Sequence, residues 1–334
     1  MHSANLVRVA SVLLLAASFP AGGAEPAASS TAPTEAKEAP WRGSFVSYGH
    51  ATSAISVDKA AEPYWNPFYV QTFVVQPEWH FTKHFFTRAR FELEQELTLS
   101  DDTTYARQVM WSDLSLDLGT DGVKIPKAGI QVSGTVRLTA PLSKASAAQT
   151  KLTSIGPGVT LSRRFEVRSG LTVGYAARYT QRFHRFTTPG YDAPTITACG
   201  DLRDQVCTSL KGAEQRNVRA DLLQGPTVSF DPLARLHLSA TFQLSHAWLY
   251  ALPSAPVAGQ PLDAAGDVGV RQSTGFIVST GFDVTRELTL TLAATTFTSQ
   301  PGPDGRARTP FFNRNTLLSL DAALDVEALL KRIQ

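Results

Sequence analysis

After its first 24 residues the chain has no apolar run long enough to cross a bilayer as a helix, which takes about 20 residues, so no helical transmembrane segment is expected there. Cysteine is scarce. Only Cys199 and Cys207 occur, in the polar segment Thr195 to Gln215, with no histidine near them, which makes a poor zinc site. Neither charge sign is in excess: 31 Lys and Arg stand against 29 Asp and Glu, and a net charge of +2 argues against a dedicated nucleic-acid binder. Gly-rich phosphate loops, metal-spaced Cys/His clusters and nucleophile elbows are also missing, so no cofactor or metal is expected. Gly156-Pro157-Gly158 reads as a strand irregularity rather than a phosphate cradle.

What is present begins with an export signal. Arg8, the apolar run Val9 to Ser18 and the small residues Ala21-Gly22-Gly23-Ala24 read as a signal peptide over residues 1–24, cut near Ala24. A lipoprotein anchor would need a cysteine there. Residues 25–41, built from Ala, Ser, Thr, Pro, Glu and Lys, cannot bury enough apolar surface to fold and read as a linker. In an exported chain Cys199 and Cys207 are expected to form a loop disulfide.

The rest of the chain alternates with a period of two. Read as a strand, Phe85 to Thr98 puts Phe85, Thr87, Ala89, Phe91, Leu93, Gln95 and Leu97 on one face. Phe86, Arg88, Arg90, Glu92, Glu94, Glu96 and Thr98 fall on the other. Similar segments recur from Tyr69 to Leu324. In one of them Met110, Leu114, Leu116 and Leu118 are assigned to the apolar face and Val109, Trp111, Asp113, Ser115 and Asp117 to the polar one. No Asp, Glu, Lys or Arg falls on the apolar faces. A charge at mid-bilayer on a barrel's lipid face costs about 2–4 kcal/mol, so that face is expected to meet lipid.

The connections sort by length. Thr82-Lys83, Gly119-Lys127, Arg163-Ser169, Asp231-Arg235 and Asp283-Glu287 fall at one end and are mostly short. Ser100-Tyr105, Pro141-Thr150, Phe186-Arg216, Ala251-Asp267 and Ser299-Phe311 fall at the other and are longer, as outer-membrane barrels require.

In its signal peptide, strand length, lumen charges and loop asymmetry the chain resembles a bacterial outer-membrane β-barrel, without a motif that singles out one family. The resemblance implies an all-β fold: a transmembrane antiparallel up-and-down barrel of about twelve strands over residues 42–325, with a short periplasmic tail at 326–334. Eleven strands are clear, and Ser44 to Val57 supplies either the twelfth or a plug segment. It also implies the outer membrane as location and, as partners, membrane lipid, lipopolysaccharide and the barrel-assembly machinery. Such barrels usually end in an aromatic residue, whereas the last residues here are Leu329-Leu330-Lys331-Arg332-Ile333-Gln334.

By the same phase the lumen receives Arg88, Arg90, Arg107, Arg137, Arg178, Arg182, Arg219 and Arg271, against Glu78, Glu92, Glu94, Glu96, Asp113, Asp117, Asp221 and Asp321. With His184 near the outer mouth, they are candidate solute contacts. Three readings stay open: a restricted channel or transporter for small solutes, a structural or surface-interaction barrel sealed by Arg-carboxylate pairs, and a lipid hydrolase. The hydrolase would need a Ser and a His, and the chain has His237-Leu238-Ser239 and Ser245-His246. His246 is instead expected in an aromatic girdle beside Trp248 and Tyr250, and no catalytic residue is assigned.

Overall fold

The computed structural model describes residues 39–54, 68–98, 107–188, 216–251, 269–300, 307–313 and 315–333, and the short strand pair Thr197–Ala198 with Thr208–Ser209. The signal peptide, Cys199 and Cys207 lie outside the described residues.

Twelve antiparallel strands form a closed barrel. In chain order they are β1 (Phe45–Ser53), β2 (Tyr69–Gln76, continued by Glu78–His80 after Pro77), β3 (Phe85–Glu96) and β4 (Val109–Trp111 and Leu114–Thr120). Then come β5 (Ile130–Ala140), β6 (Lys151–Phe165), β7 (Gly170–His184), β8 (Val218–Leu233), β9 (Leu236–Leu249), β10 (Val270–Asp283), β11 (Leu288–Gln300) and β12 (Thr316–Asp325). Each strand pairs with its sequence neighbours, and β1 closes the ring by pairing with both β2 and β12, with Gly49 opposite Thr72 and Asp321. Residues 45–53 are therefore the twelfth wall strand and not a plug. Closure matters because a lipid-exposed sheet edge would leave unpaired N–H and C=O groups in hydrocarbon.

Alternation decides the faces. Phe85, Trp111, Leu118, Leu292 and Leu320 are all more than half exposed on the outside, whereas Glu96, Asp117 and Ser154 point inward and are buried. In a soluble protein so much exposed apolar surface would be a liability; around a barrel it is the band that lipid covers. Arg163 stands on this outer face near the short-turn end of β6, its guanidinium 5.0 Å from the Phe165 ring, a position from which a long cation can snorkel to the interface.

One phase assignment needs correction. Val109 and Trp111 face outward and Met110 inward, since Leu93 pairs with Trp111 and Glu94 with Met110. The shift occurs at Ser112-Asp113, which interrupt β4: Ser112 N–H donates to the Glu92 carbonyl, while the Ser112 hydroxyl accepts from Glu92 N–H. This irregularity returns Leu114 to the outer face. Outside, the Trp111 ring lies 5.1 Å from that of Phe91.

The short turns gather at one end and the long connections at the other. A short helix, α1 (Lys144–Ala148), lies in a long connection, and α2 (Val326–Ile333) follows β12 at the short-turn end. No described helix is long and apolar enough to cross a membrane, which leaves the crossing to strands.

Candidate functional site: the lumen

The strand register brings the inward residues of β2 to β8 into lateral rows. Glu78 pairs with Arg88, Arg88 with Asp117, and Asp117 with Arg137 across successive strands. The side chains follow. Arg88 donates through Nε to Glu78, and Arg137 grips Asp117 with two parallel bonds of 2.7 Å each. On β7 and β8 the Arg182 guanidinium lies 2.6 Å from the Asp221 carboxylate, and on β3 Arg90 lies 3.1 Å from Glu92. The planar guanidinium fork suits such carboxylate pairing, and pairing is what lets these charges be buried. His80 extends the row, with Nε2 2.8 Å from Glu78 and Nδ1 3.4 Å from Asp121, and Arg42 reaches Asp121 from outside the strands.

Toward the long-loop mouth a second cluster forms around Asp113. Lys151 Nζ lies 2.8 Å from its carboxylate, the Ser146 hydroxyl donates at 2.6 Å and Ser143 N–H at 2.9 Å. Ser143 also caps α1, its hydroxyl accepting from Ser146 N–H, so one carboxylate ties the loop helix to the wall. Ser146 and Ala148 are buried as a result. The Lys151 partnership escapes alternation, because Lys151 lies beyond the bulge where β6 slips against β7 at Phe183 and His184. His184 donates through Nδ1 to the Gln149 carbonyl and meets Tyr250 edge-on at 5.8 Å. Tyr250 donates to the Arg182 carbonyl. It therefore leaves the aromatic row expected beside Trp248, while Trp248 stays within 6.4 Å of Tyr179.

The remaining candidates scatter. Arg219 is the extra residue of a bulge in β8 and is exposed, its carbonyl accepting from Gln181. Arg271 is an exposed residue near the mouth, within electrostatic reach of Arg216. Glu94 and Glu96 line β3 opposite Thr72 and Val70, and the Thr98 hydroxyl donates to Glu96 at 2.8 Å.

From β9 to β12, and across the seam into β1, the inner face changes character. His237, Ser239, Thr241, Gln243 and Ser245 on β9 share register rows with Gly281, Ser279, Ile277, Gly275 and Ser273 on β10. Thr291, Ala293 and Thr295 on β11 meet Asp321, Ser319 and Leu317 on β12. Hydroxyls pair with hydroxyls: Ser239 lies 2.7 Å from Ser279, and Thr227 2.9 Å from Thr241. His237, near the short-turn end, bridges Asp231 at 2.9 Å and Asp283 at 3.0 Å. Its ring is thus committed to two carboxylates, and the Ser239 hydroxyl to Ser279, which leaves the sequence-adjacent pair without the Ser-His bond a hydrolase needs. Among the described residues no group of three or more His, Cys, Asp or Glu could hold a metal ion.

The closed barrel, lipid-facing apolar band and uneven connections define an outer-membrane-type β-barrel protein. No protein-family model matches the sequence, and no curated protein matches it. Its fold is similar to several solved outer-membrane structures. An outer membrane channel from Pseudomonas putida F1 aligns over 88% of this chain and 99% of its own, with 12% identity and a TM-score of 0.49. NanC porin aligns over 84% and 98%, with 12% identity and a TM-score of 0.42. KdgM porin aligns over 84% and 98%, with 6% identity and a TM-score of 0.38.

Proposed function

We propose that this protein is a passive, restricted conduit for small polar solutes across the bacterial outer membrane. The observation that carries this reading is the division of the lumen. Long charged side chains are held in pairs on β2 to β8, while Ser, Thr, Gly and Ala line most of β9 to β12. Eight-stranded barrels have interiors filled by side chains and sixteen-stranded ones hold open channels, so twelve strands leave intermediate room. Small residues on one arc leave that room beside the paired charges instead of filling it from both sides.

Pairing suits passage as well as folding. Arginines already bonded to carboxylates keep the lumen polar without presenting a large field of one sign, so a solute meets donors and acceptors along its path. The helix α1 is tied to Asp113 at the mouth on the charged side. Residues 1–24 would direct export, a Cys199–Cys207 disulfide would brace the long outer loop, and lipid, lipopolysaccharide and the barrel-assembly machinery would be its partners. No group in this reading performs chemistry.

Swelling of liposomes that carry the refolded protein tests it. Pentose-sized sugars should enter measurably faster than into empty liposomes, and trisaccharides should not. Absence of swelling with every solute would favour the second reading, a structural barrel sealed by its Arg-carboxylate pairs.

A further inference from the structure

On the charged wall one inward guanidinium is not bonded to a carboxylate. Arg88 is bound to Glu78, Arg137 to Asp117 and Arg182 to Asp221. Arg178 is also inward, on β7, and its polar contact is a 3.4 Å bond from one terminal nitrogen to the Thr135 hydroxyl. Its Nε is buried and has no hydrogen-bond partner. Arg137, Asp117, Arg88 and Asp221 are the charges near enough to act on it, and both carboxylates already hold another arginine. A buried donor on a charged group left without a partner is costly.

The wall on the β6 side of Arg178 is bare, while on β8 its partner is the buried Leu223. Its partner on β6 is Gly158, and the next inward position there is Gly156. On β7 itself the inward neighbours toward the short-turn end are Ala176 and Gly174, and Ala176 pairs with Gly225 of β8. Two prolines adjoin these glycines in sequence. Pro157 lacks the N–H a ladder needs and faces outward opposite Val136, and Pro226 does the same opposite Tyr175. A Cβ on Gly156 would lie 2.6 Å from the Tyr179 carbonyl oxygen, and one on Gly225 would run into the Phe242 carbonyl, so neither position accepts a larger residue. The Gly156-Pro157-Gly158 segment thus clears the space into which Arg178 projects.

We infer that Arg178, on this glycine-cleared patch, is a binding site for small organic anions, with a solute carboxylate supplying the partner the protein withholds. The site rests on the conduit reading for its place in a transport path. Binding itself does not require conduction. A carboxylate satisfies the guanidinium fork and fits on the β6 side, where glycines leave no side chain in the way.

The test uses succinate and the full refolded protein in detergent, with binding read by saturation-transfer NMR and conduction read separately in planar bilayers. Wild type should give a succinate signal that Arg178→Gln lowers at least fivefold and that Arg178→Lys retains in part. Thr135→Asp supplies an internal carboxylate beside the guanidinium and should abolish the signal even if Arg178→Gln fails to fold. In a KCl gradient the zero-current potential of Arg178→Gln should move toward cation preference. Equal succinate signals in wild type, Arg178→Gln and Thr135→Asp, or no signal in wild type, overturn the assignment. Succinate binding that depends on Arg178 in a protein that carries no current would uphold the site and refute the conduit.

Discussion

On the inner face of β2 to β8, most of the bulky charged side chains lie locked in ion pairs, Arg178 apart; on that of β9 to β12, small hydroxyl and glycine positions predominate. Both arcs face the lumen, and both strand sets hold the same kind of lipid-facing exterior. They differ in what holds them together. The charged arc depends on mutual compensation, since Asp117 and Glu78 are nearly inaccessible and tolerable only because Arg137 and Arg88 are bonded to them. The hydroxyl arc depends on short-range bonds such as Ser239 to Ser279, each replaceable by water. Selectivity and fragility should therefore lie on one side of the barrel, and room on the other.

The largest effect expected from breaking this contrast is on the charged arc. Arg137→Met strands the Asp117 carboxylate and should cost about 3 kcal/mol of unfolding free energy, the low end for a buried pair because lumen water relieves part of it. Replacing both partners, Arg137→Met with Asp117→Leu, should recover most of that loss. Denaturant titration of the lipid-reconstituted barrel reads both, and equal stability of single and double variants would contradict the compensation argument.

Asp113→Asn comes next. It weakens the Lys151 pair and the tether on α1, and should lower stability by about 1–2 kcal/mol while exposing residues 141–150 to protease. On the hydroxyl arc Ser279→Ala should cost about 0.5–1 kcal/mol, the ordinary value of one neutral hydrogen bond, and a loss as large as that of Arg137→Met would erase the distinction between the arcs. The smallest effect belongs to a control outside both arcs: Lys331→Ala removes an exposed i,i+4 pair with Glu327 on α2 and should cost about 0.3 kcal/mol.

The outer surface was the more legible part of the sequence. Lipid tolerates little charge, so period two alone orients most strands, from Phe85 to Leu320. Alternation fails where a backbone irregularity resets it, and nothing in Ser112-Asp113 marks the slip that turns Val109 and Trp111 outward. The strand β1 is faint for a different reason: its inward positions Ser47, Gly49 and Ala51 are small, and its outward ones include His50 and Thr52, so the two faces differ little in polarity. The list of lumen charges was readable, but their partners were not. Pairing Arg137 with Asp117, or Lys151 with Asp113, depends on register between strands and on the bulge at Phe183-His184. Arg178 stands out only once its neighbours have been paired, and the meaning of Gly156-Pro157-Gly158 only once Arg178 is placed opposite it.

The central claim is that solute passes along the hydroxyl arc, and Ser279, midway along it, is where that claim is most exposed. In a protein whose Cys199 and Cys207 are replaced by serine, Ser279→Cys should carry a steady current in planar bilayers. Attachment of a methanethiosulfonate sulfonate at that cysteine should cut this current by more than half. A current unchanged by complete modification, or no current before it, would contradict the account.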